Sequence, residues 1–224
     1  MKGIVLFISV FFVFEVCGQN IQLHYDYGQA DAFGTTLKRN YFTSTIEFFK
    51  PDTLGSTFMF ADFDFAKSNG GVSMAYAELS RKFTLHKKSG LSLQLEYNDG
   101  SPAYITPAIL GGFSYPIKLG KYTVHTSLLY KSYQKAKSPD VQLTFVWNEM
   151  LFGSKLFFSG FVDIWSQDKF SGNGKDVVFL SEPQLWYCAT RNLKVGGELE
   201  VSRNFFVFDD AFKFMPTVAI RWDF

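Results

Sequence analysis

His125 and Ser127 are separated by one residue, which is the spacing at which a strand could hold a base beside a nucleophile. Residues two apart project from the same face of a β-strand, so the two side chains could lie next to each other. Val124, Leu128 and Tyr130 form the apolar face of the same segment. A lipid-cutting enzyme would need its catalytic groups on that apolar face. The pair is therefore better interpreted as two polar interior residues.

The other residues typical of catalysis or metal binding do not form a recognisable set. No group of histidines and carboxylates has the spacing of metal ligands, and no glycine-rich phosphate loop follows a strand. His24 fits a polar interior position, and His86 precedes Lys87 and Lys88 in a turn. We therefore predict no catalytic residue, no metal and no cofactor, and a protein that is not an enzyme.

A second pattern places carboxylates in the same phase as aromatic rings. Asp62 and Asp64 alternate in phase with Phe58 and Phe60, and Asp163 shares its phase with neighbouring aromatics. Aromatic faces can stack a base, at about 1–3 kcal/mol per base, and carboxylates can accept hydrogen bonds from sugar hydroxyls. The alternative is that the rings pack together and narrow the interior. The predicted solute-binding residues are Glu47, Phe58, Phe60, Asp62, Asp64, Glu78, Glu96, Asp163, Trp165 and Glu182.

Short segments of alternating apolar and polar residues must position these side chains. Such alternation is typical of strands with one apolar and one polar face. Turn residues separate about twelve segments, each of a length that a tilted strand needs to cross a bilayer. The predicted strands cover residues 21–27, 42–49, 57–65, 72–83, 91–97, 104–115, 122–133, 141–148, 156–165, 177–187, 195–203 and 214–224.

The last segment, 214–224, is the clearest of these. Apolar or aromatic residues occupy every second position, the charged Arg221 and Asp223 lie between them, and the chain ends on Phe224. A terminal aromatic is typical of a strand that closes a membrane barrel, and this strand would pair with 21–27 to remove both sheet edges. We predict an all-β, antiparallel up-and-down transmembrane β-barrel.

The N-terminus and the composition agree with a secreted membrane barrel. Lys2 and an apolar run to Phe14 predict a signal peptide over 1–18, with a barrel over 19–224. Cys17 leaves a lipoprotein as an alternative, although Glu15 fits a lipobox poorly. Phenylalanine occurs 27 times while mean hydropathy is only +0.01, as expected where an apolar face meets lipid and the interior is polar. A soluble β-sandwich is the competing fold.

Charge and cysteine content narrow the possible partners. The net charge of +1 gives no electrostatic basis for nucleic-acid binding. After cleavage only Cys188 would remain, so no internal disulfide is expected. Connections on the side opposite the termini are longer, chiefly 28–40 and 166–175, as in barrels with extracellular loops and short periplasmic turns.

Four N-terminal segments and the C-terminal strand resemble a known family. The segments 25–28, 45–48, 58–62 and 77–83 are similar to the first third of the Tsx-type nucleoside-specific outer-membrane channels, which are twelve-stranded barrels. The chain, and 180–187 in particular, also resembles the short Tsx-like, DUF5020-type proteins of Bacteroidetes. The middle matches only in strand rhythm, and the loops are reduced.

The resemblance implies a channel of the Gram-negative outer membrane that passes nucleosides or similar small polar solutes, with Glu47, Asp62 and Glu78 in its lumen. It also implies that Phe224 is read by the barrel-assembly machinery. The expected partners are outer-membrane lipids and the solute, for a barrel that is a monomer and binds no nucleic acid. Two alternatives stay open: a lipid A deacylase-like enzyme using His125 and Ser127, and a non-conducting structural barrel.

Overall fold

The computed structural model of the protein describes residues 18–28, 39–102, 104–134, 136–169, 172–205 and 211–224. The predicted signal peptide, apart from Gly18, and most of the predicted loop 28–40 lie outside these residues. The strands are β1 (Gln19–Asp26), β2 (Tyr41–Asp52), β3 (Gly55–Asp64), β4 (Met74–His86), β5 (Leu91–Ser101), β6 (Ala108–Leu119), β7 (Tyr122–Tyr133), β8 (Asp140–Leu151), β9 (Leu156–Asp168), β10 (Lys175–Ser181), β11 (Gln184–Cys188), β12 (Leu193–Arg203) and β13 (Lys213–Asp223).

No helix in the described part of the chain is long and apolar enough to cross a membrane.

The strands form a closed antiparallel barrel. Each pairs with its sequence neighbours, and β13 pairs with β1 from Asn20↔Asp223 to Asp26↔Thr217. β10 and β11 both pair with β9 and β12, so they are two halves of one strand interrupted at Glu182 and Pro183. With β10 and β11 counted as one strand, the barrel has twelve strands, which confirms the predicted fold class and strand count.

Several strands extend further, or start later, than their apolar pattern predicted. β6 begins at Ala108 rather than 104 and continues to Leu119. β9 continues to Asp168, so part of the predicted loop 166–175 is paired strand. The backbone hydrogen-bond ladder continues there because polar groups form hydrogen bonds across the strands beyond the apolar part. Ser166 Oγ donates to Asp140 at 2.7 Å, and the Asp168 amide donates to Tyr133 Oη at 3.2 Å.

The two ends of the barrel differ in their connections. At the end that holds Phe224, called the turn end, the strands are joined by two to four residues. At the opposite end, called the loop end, the connections are six residues or longer. This is the predicted asymmetry, although the loops at 65–73 and 204–212 are longer than the one after β9.

The strand register separates an apolar outer face from a largely polar inner face. Large apolar residues such as Ile109, Phe113 and Leu128 are more than half exposed on the outer face. Their inward neighbours Ser114 and Ser127 are buried. Exposed aromatic residues lie toward both ends of the outer face, where membrane barrels carry aromatic girdles: Tyr27, Tyr97 and Tyr130 toward the loop end, and Tyr122, Tyr187 and Trp222 toward the turn end.

Two adjacent glycines in β6 differ in the space available for a side chain. A Cβ on the inward-facing Gly112 would lie 2.1 Å from the Leu128 carbonyl oxygen of β7, whereas one on the outward-facing Gly111 would meet only Leu95 Cδ2 at 3.4 Å. We expect Gly112→Ala to destabilise the barrel by about 1–3 kcal/mol, because the backbone of β7 would have to move. Gly111→Ala should change stability by less than about 0.5 kcal/mol.

The measurement is the urea midpoint of the refolded barrel in detergent, followed by its heat-modifiable mobility in gels. Equal midpoints for the two variants would contradict this account of the β6–β7 contact.

Candidate functional site

The lumen is the candidate functional site. The paired strands place the predicted solute-binding residues on the inner face, as judged by their register partners: Thr45↔Asp62, Glu47↔Phe60 and Ser80↔Glu96 all lie on this face. Asp163 and Trp165 lie opposite Thr144 and Gln142 in the same phase. The aromatic rings of β3 and β9 therefore do point inward together with the carboxylates. Their role in binding a solute stays a prediction.

Access to solvent differs sharply around the lumen. Inward side chains on β1, β5, β6, β7 and β13 include fully or almost fully buried ones, such as Gln22, Glu96, Leu110, Leu129 and Met215. Inward residues that keep some exposure occur on β7 and β8, such as His125 and Asn148 near the turn end, and on two walls that hold most of the predicted site residues. We call the space between these walls the slot; it is lined by Phe60, Asp62, Tyr76 and Glu78 on β3 and β4, and by Phe161, Asp163, Trp165, Glu182 and Glu198 on β9 to β12.

The two walls approach each other across the lumen. Four strands separate β4 from β9 around the barrel, yet Glu78 on β4 interacts electrostatically with Asp163 on β9. Asp62 on β3 interacts in the same way with Glu182 and with Glu198 on β12. Carboxylates from opposite walls thus lie within electrostatic range of one another.

Most of the lumen carboxylates have a hydrogen-bonding partner within the barrel. Thr45 Oγ1 donates to Asp62 at 2.5 Å, and Thr144 Oγ1 donates to Asp163 at 2.5 Å. Three other acids are held in the same way: Glu198 by Gln184 (2.6 Å), Asp64 by Thr43 (2.7 Å) and Glu96 by Gln94 (3.0 Å). Within the described residues, the side chains of Glu78 and Glu182 make no hydrogen bond or ion pair.

Two basic residues of the lumen, Lys131 and Arg39, are bound to neighbouring side chains. Lys131 Nζ donates to Gln142 at 2.8 Å and lies 4.3 Å from the ring centroid of Trp165. Arg39, which follows the first loop, bridges Asp26 (3.2 Å) and Glu200 (2.6 Å). Lys131 therefore covers one face of Trp165, which leaves this ring less suited to stacking than predicted.

A network of charges lies at the turn end. Arg221 bonds Asp223 at 2.8 Å and lies 3.5 Å from Glu47, to which Asn20 also donates at 2.7 Å. Lys194 pairs with Asp223. Glu47, predicted as a solute-binding residue of the lumen, is thus part of the seam between β13, β1 and β2.

The aromatic residues of β3 and β4 form a row along the first wall. The ring centroids of Phe58 and Phe60 are 5.9 Å apart, and those of Phe60 and Tyr76 are 5.7 Å apart. The rings pack on one another, as one alternative predicted, and Phe60 and Tyr76 still keep partial exposure to the slot. Tyr76 was not among the predicted site residues, although it shares the phase of Glu78.

The structure does not join His125 and Ser127 into a catalytic pair. Both face the lumen, opposite Pro116 and Ser114 of β6. Ser127 is buried and its hydroxyl donates to Gln94 at 2.7 Å. No hydrogen bond connects it to His125 in the described part of the chain.

No cluster of three or more histidine, cysteine or acidic residues with metal-binding geometry occurs within the described residues. The acids of the slot therefore do not form a metal site in this arrangement.

A closed twelve-stranded antiparallel barrel with an apolar outer face and a charged, partly accessible lumen defines this chain as a porin-type β-barrel. The NanC porin structure matches it with a TM-score of 0.60 at 8% identity, covering 92% of this chain and 100% of that one. The KdgM porin in complex with disordered oligogalacturonate matches with a TM-score of 0.51 at 9% identity, covering 92% and 98%. At these identities the likeness shows the fold alone.

The chain belongs to the family DUF5020, a domain of unknown function, whose family model matches residues 18–224. This confirms the DUF5020-type part of the resemblance, while the Tsx-type substrate is not shown. A search of curated proteins found no match.

The placement of His125 and Ser127 makes a direct prediction about lipid hydrolysis. Because both side chains face the lumen and Ser127 is tied to Gln94, we expect no release of fatty acid from phospholipid or lipid A by the purified barrel. His125→Ala should leave that background unchanged, as measured by mass spectrometry of the lipids. Turnover that disappears in His125→Ala, but persists in the outward-facing variant Thr126→Ala, would show that the barrel is an enzyme.

Proposed function

We propose that this protein is an outer-membrane channel of a Gram-negative bacterium that passes small polar solutes by passive diffusion, with nucleosides as the favoured class. The observation that carries the proposal is the slot, where partly exposed rings and carboxylates line the interior of a closed barrel and could form a path for solutes. Successive weak contacts along such a path let a solute enter and leave, whereas tight binding would slow its exit.

The orientation follows from the two ends of the barrel. Short connections at the turn end fit the periplasmic side, and longer connections at the loop end fit the cell exterior. Outer-membrane lipids would then contact the apolar outer face, and the terminal Phe224, which is 65% exposed, would be available to the barrel-assembly machinery. We expect a monomer.

The nucleoside preference rests on the chemistry of the first wall and on the sequence resemblance. The partly exposed ring of Phe60 lies one inward position from Asp62, and Glu78 is its register partner on β4. A base stacked on this ring would bring its sugar hydroxyls near two carboxylates that can accept hydrogen bonds. The oligogalacturonate bound by KdgM is a polyanion, and the acid-rich slot of this chain is poorly suited to such a ligand.

A non-conducting structural barrel is the second candidate, and one observation favours it. Leu110 and Leu129 face the lumen and are fully buried, and they pack with Ala108 and Tyr133. An apolar cluster of this kind fills part of the lumen near β6 and β7. The slot must stay open beside it for solutes to pass.

Conductance separates the two candidates. Reconstituted in a planar bilayer, the barrel should show stable single-channel steps that nucleosides such as uridine or adenosine reduce in a saturable way. A heat-denatured sample is the control. A folded barrel that gives no conductance and no swelling of nucleoside-loaded liposomes would establish the structural alternative.

Two phenylalanines of β3 provide a matched test of the binding site. Phe60 faces the slot, whereas Phe63, on the same strand, faces outward. We expect Phe60→Ala to weaken nucleoside block by about tenfold, since a lost stacking contact is worth about 1–3 kcal/mol. Phe63→Ala should leave the block unchanged. Equal block by both variants and the parent channel would remove Phe60 from the site.

A further inference from the structure

Glu78 and Glu182 differ from the other deep acids of the slot. Each lies deep inside the barrel yet keeps some contact with solvent. Neither side chain has a hydrogen-bonding or ion-pair partner among the described residues, whereas Asp62, Asp163 and Glu198 each accept a hydrogen bond from a neighbouring strand. A charge removed from water without a partner is costly, so these two carboxylates need water or a passing solute beside them.

The surroundings of Glu78 are predominantly acidic. Glu96, Asp163 and Asp62 lie within electrostatic range of its carboxyl group. Lys131 is a base within range of Glu78, and its ammonium is already bound to Gln142 and placed over the ring of Trp165. Lys82, two residues along β4, also interacts with Glu78 and Glu96. Glu78 therefore interacts with three acidic residues and two basic ones.

Glu182 lies at the interruption between β10 and β11, across which the register with β9 and β12 is unchanged, so the residue keeps the inward phase. Its backbone amide donates to the Phe161 carbonyl oxygen at 3.1 Å, and Pro183 follows it. Gly160 permits the close approach, because a Cβ there would lie 2.5 Å from the Glu182 carbonyl oxygen, and its φ is 149°.

The region around Glu182 is acidic as well. Glu198, Glu200 and Asp62 interact with its carboxyl group, and Arg39 is the base within range. Arg39 forms ion pairs with Asp26 and Glu200, so its charge is shared with two other acids. Asp62 lies within electrostatic range of both Glu78 and Glu182 and links the two groups across the slot.

We propose that the slot is selective for cations over anions, and that Glu78 and Glu182, facing it from opposite walls, set this selectivity. The proposal rests on the proposed channel function and specifies its solutes: neutral and cationic molecules pass, and acidic ones are disfavoured. Rings of acidic side chains give cation channels their selectivity in the same way. The acids of the turn end contribute little, because Arg221 and Lys194 neutralise Glu47 and Asp223 there.

The test is the reversal potential of the reconstituted barrel in a potassium chloride gradient. The parent channel should pass potassium in preference to chloride. The double variant Glu78→Gln/Glu182→Gln keeps the side-chain volume and should lower the potassium-to-chloride permeability ratio by at least about fivefold, because a single unit charge at about 4 Å in a water-like medium is already worth about 1 kcal/mol. Glu149→Gln, on the outer face, is the matched control and should leave the ratio unchanged.

The possible outcomes separate the two proposals. A folded barrel without conductance overturns the channel function. A conducting barrel that is unselective or prefers chloride overturns the present inference and leaves the channel intact. If the channel is cation-selective but its potassium-to-chloride permeability ratio is equal in the double variant and in Glu149→Gln, then Glu78 and Glu182 do not set the selectivity. Heat-modifiable gel mobility shows beforehand that each variant has folded.

Discussion

Closure of the hydrogen-bonded ladder between β1 and β13 is the constraint on which the rest of the structure depends. An unpaired backbone amide or carbonyl in hydrocarbon costs several kcal/mol, so a sheet can lie in a membrane only without free edges. Here the first and last strands pair over seven residues, and the amide of Phe224 still donates to the Gln19 carbonyl oxygen at 3.1 Å. The ion pairs of Arg221 reinforce this seam on the lumen side.

Once the barrel is closed, strand alternation assigns every side chain to the outer or inner face, and the inner polar groups must find partners. Threonine–aspartate pairs across neighbouring strands solve this problem repeatedly: Thr43 with Asp64, Thr45 with Asp62, and Thr144 with Asp163. Each hydroxyl fixes a carboxylate without neutralising it. The lumen can therefore be rigid and still negative, which a set of lysine–carboxylate pairs would not achieve.

The sequence was sufficient to predict the fold and the direction of most side chains, because period-two alternation is a local property. The twelve strands, the seam between the first and last of them and the inward phase of Phe60 and Asp163 all follow from it. Access to the lumen could not be predicted, since it depends on strands far apart in the chain. Glu96 and Asp64 are buried and bonded, and Glu47 belongs to the seam. Tyr76 was missed because a tyrosine in a strand is equally typical of an outer girdle.

This chain shares its fold with porins to which it has low sequence identity. The residues that line the lumen, rather than the fold, must therefore decide the function. The same barrel architecture in KdgM accompanies a bound polyanion, whereas the slot of this chain presents carboxylates from both walls. A fold hosts many functions, and the function lies in the site built on it. In this barrel Lys131 and Arg39 are bound to a ring, an amide and other acids, whereas Glu78 and Glu182, without a hydrogen-bonding or ion-pair partner among the described residues, present their carboxylate charge to the slot. Any solute that crosses it must tolerate that charge, which favours sugars and bases without acidic groups.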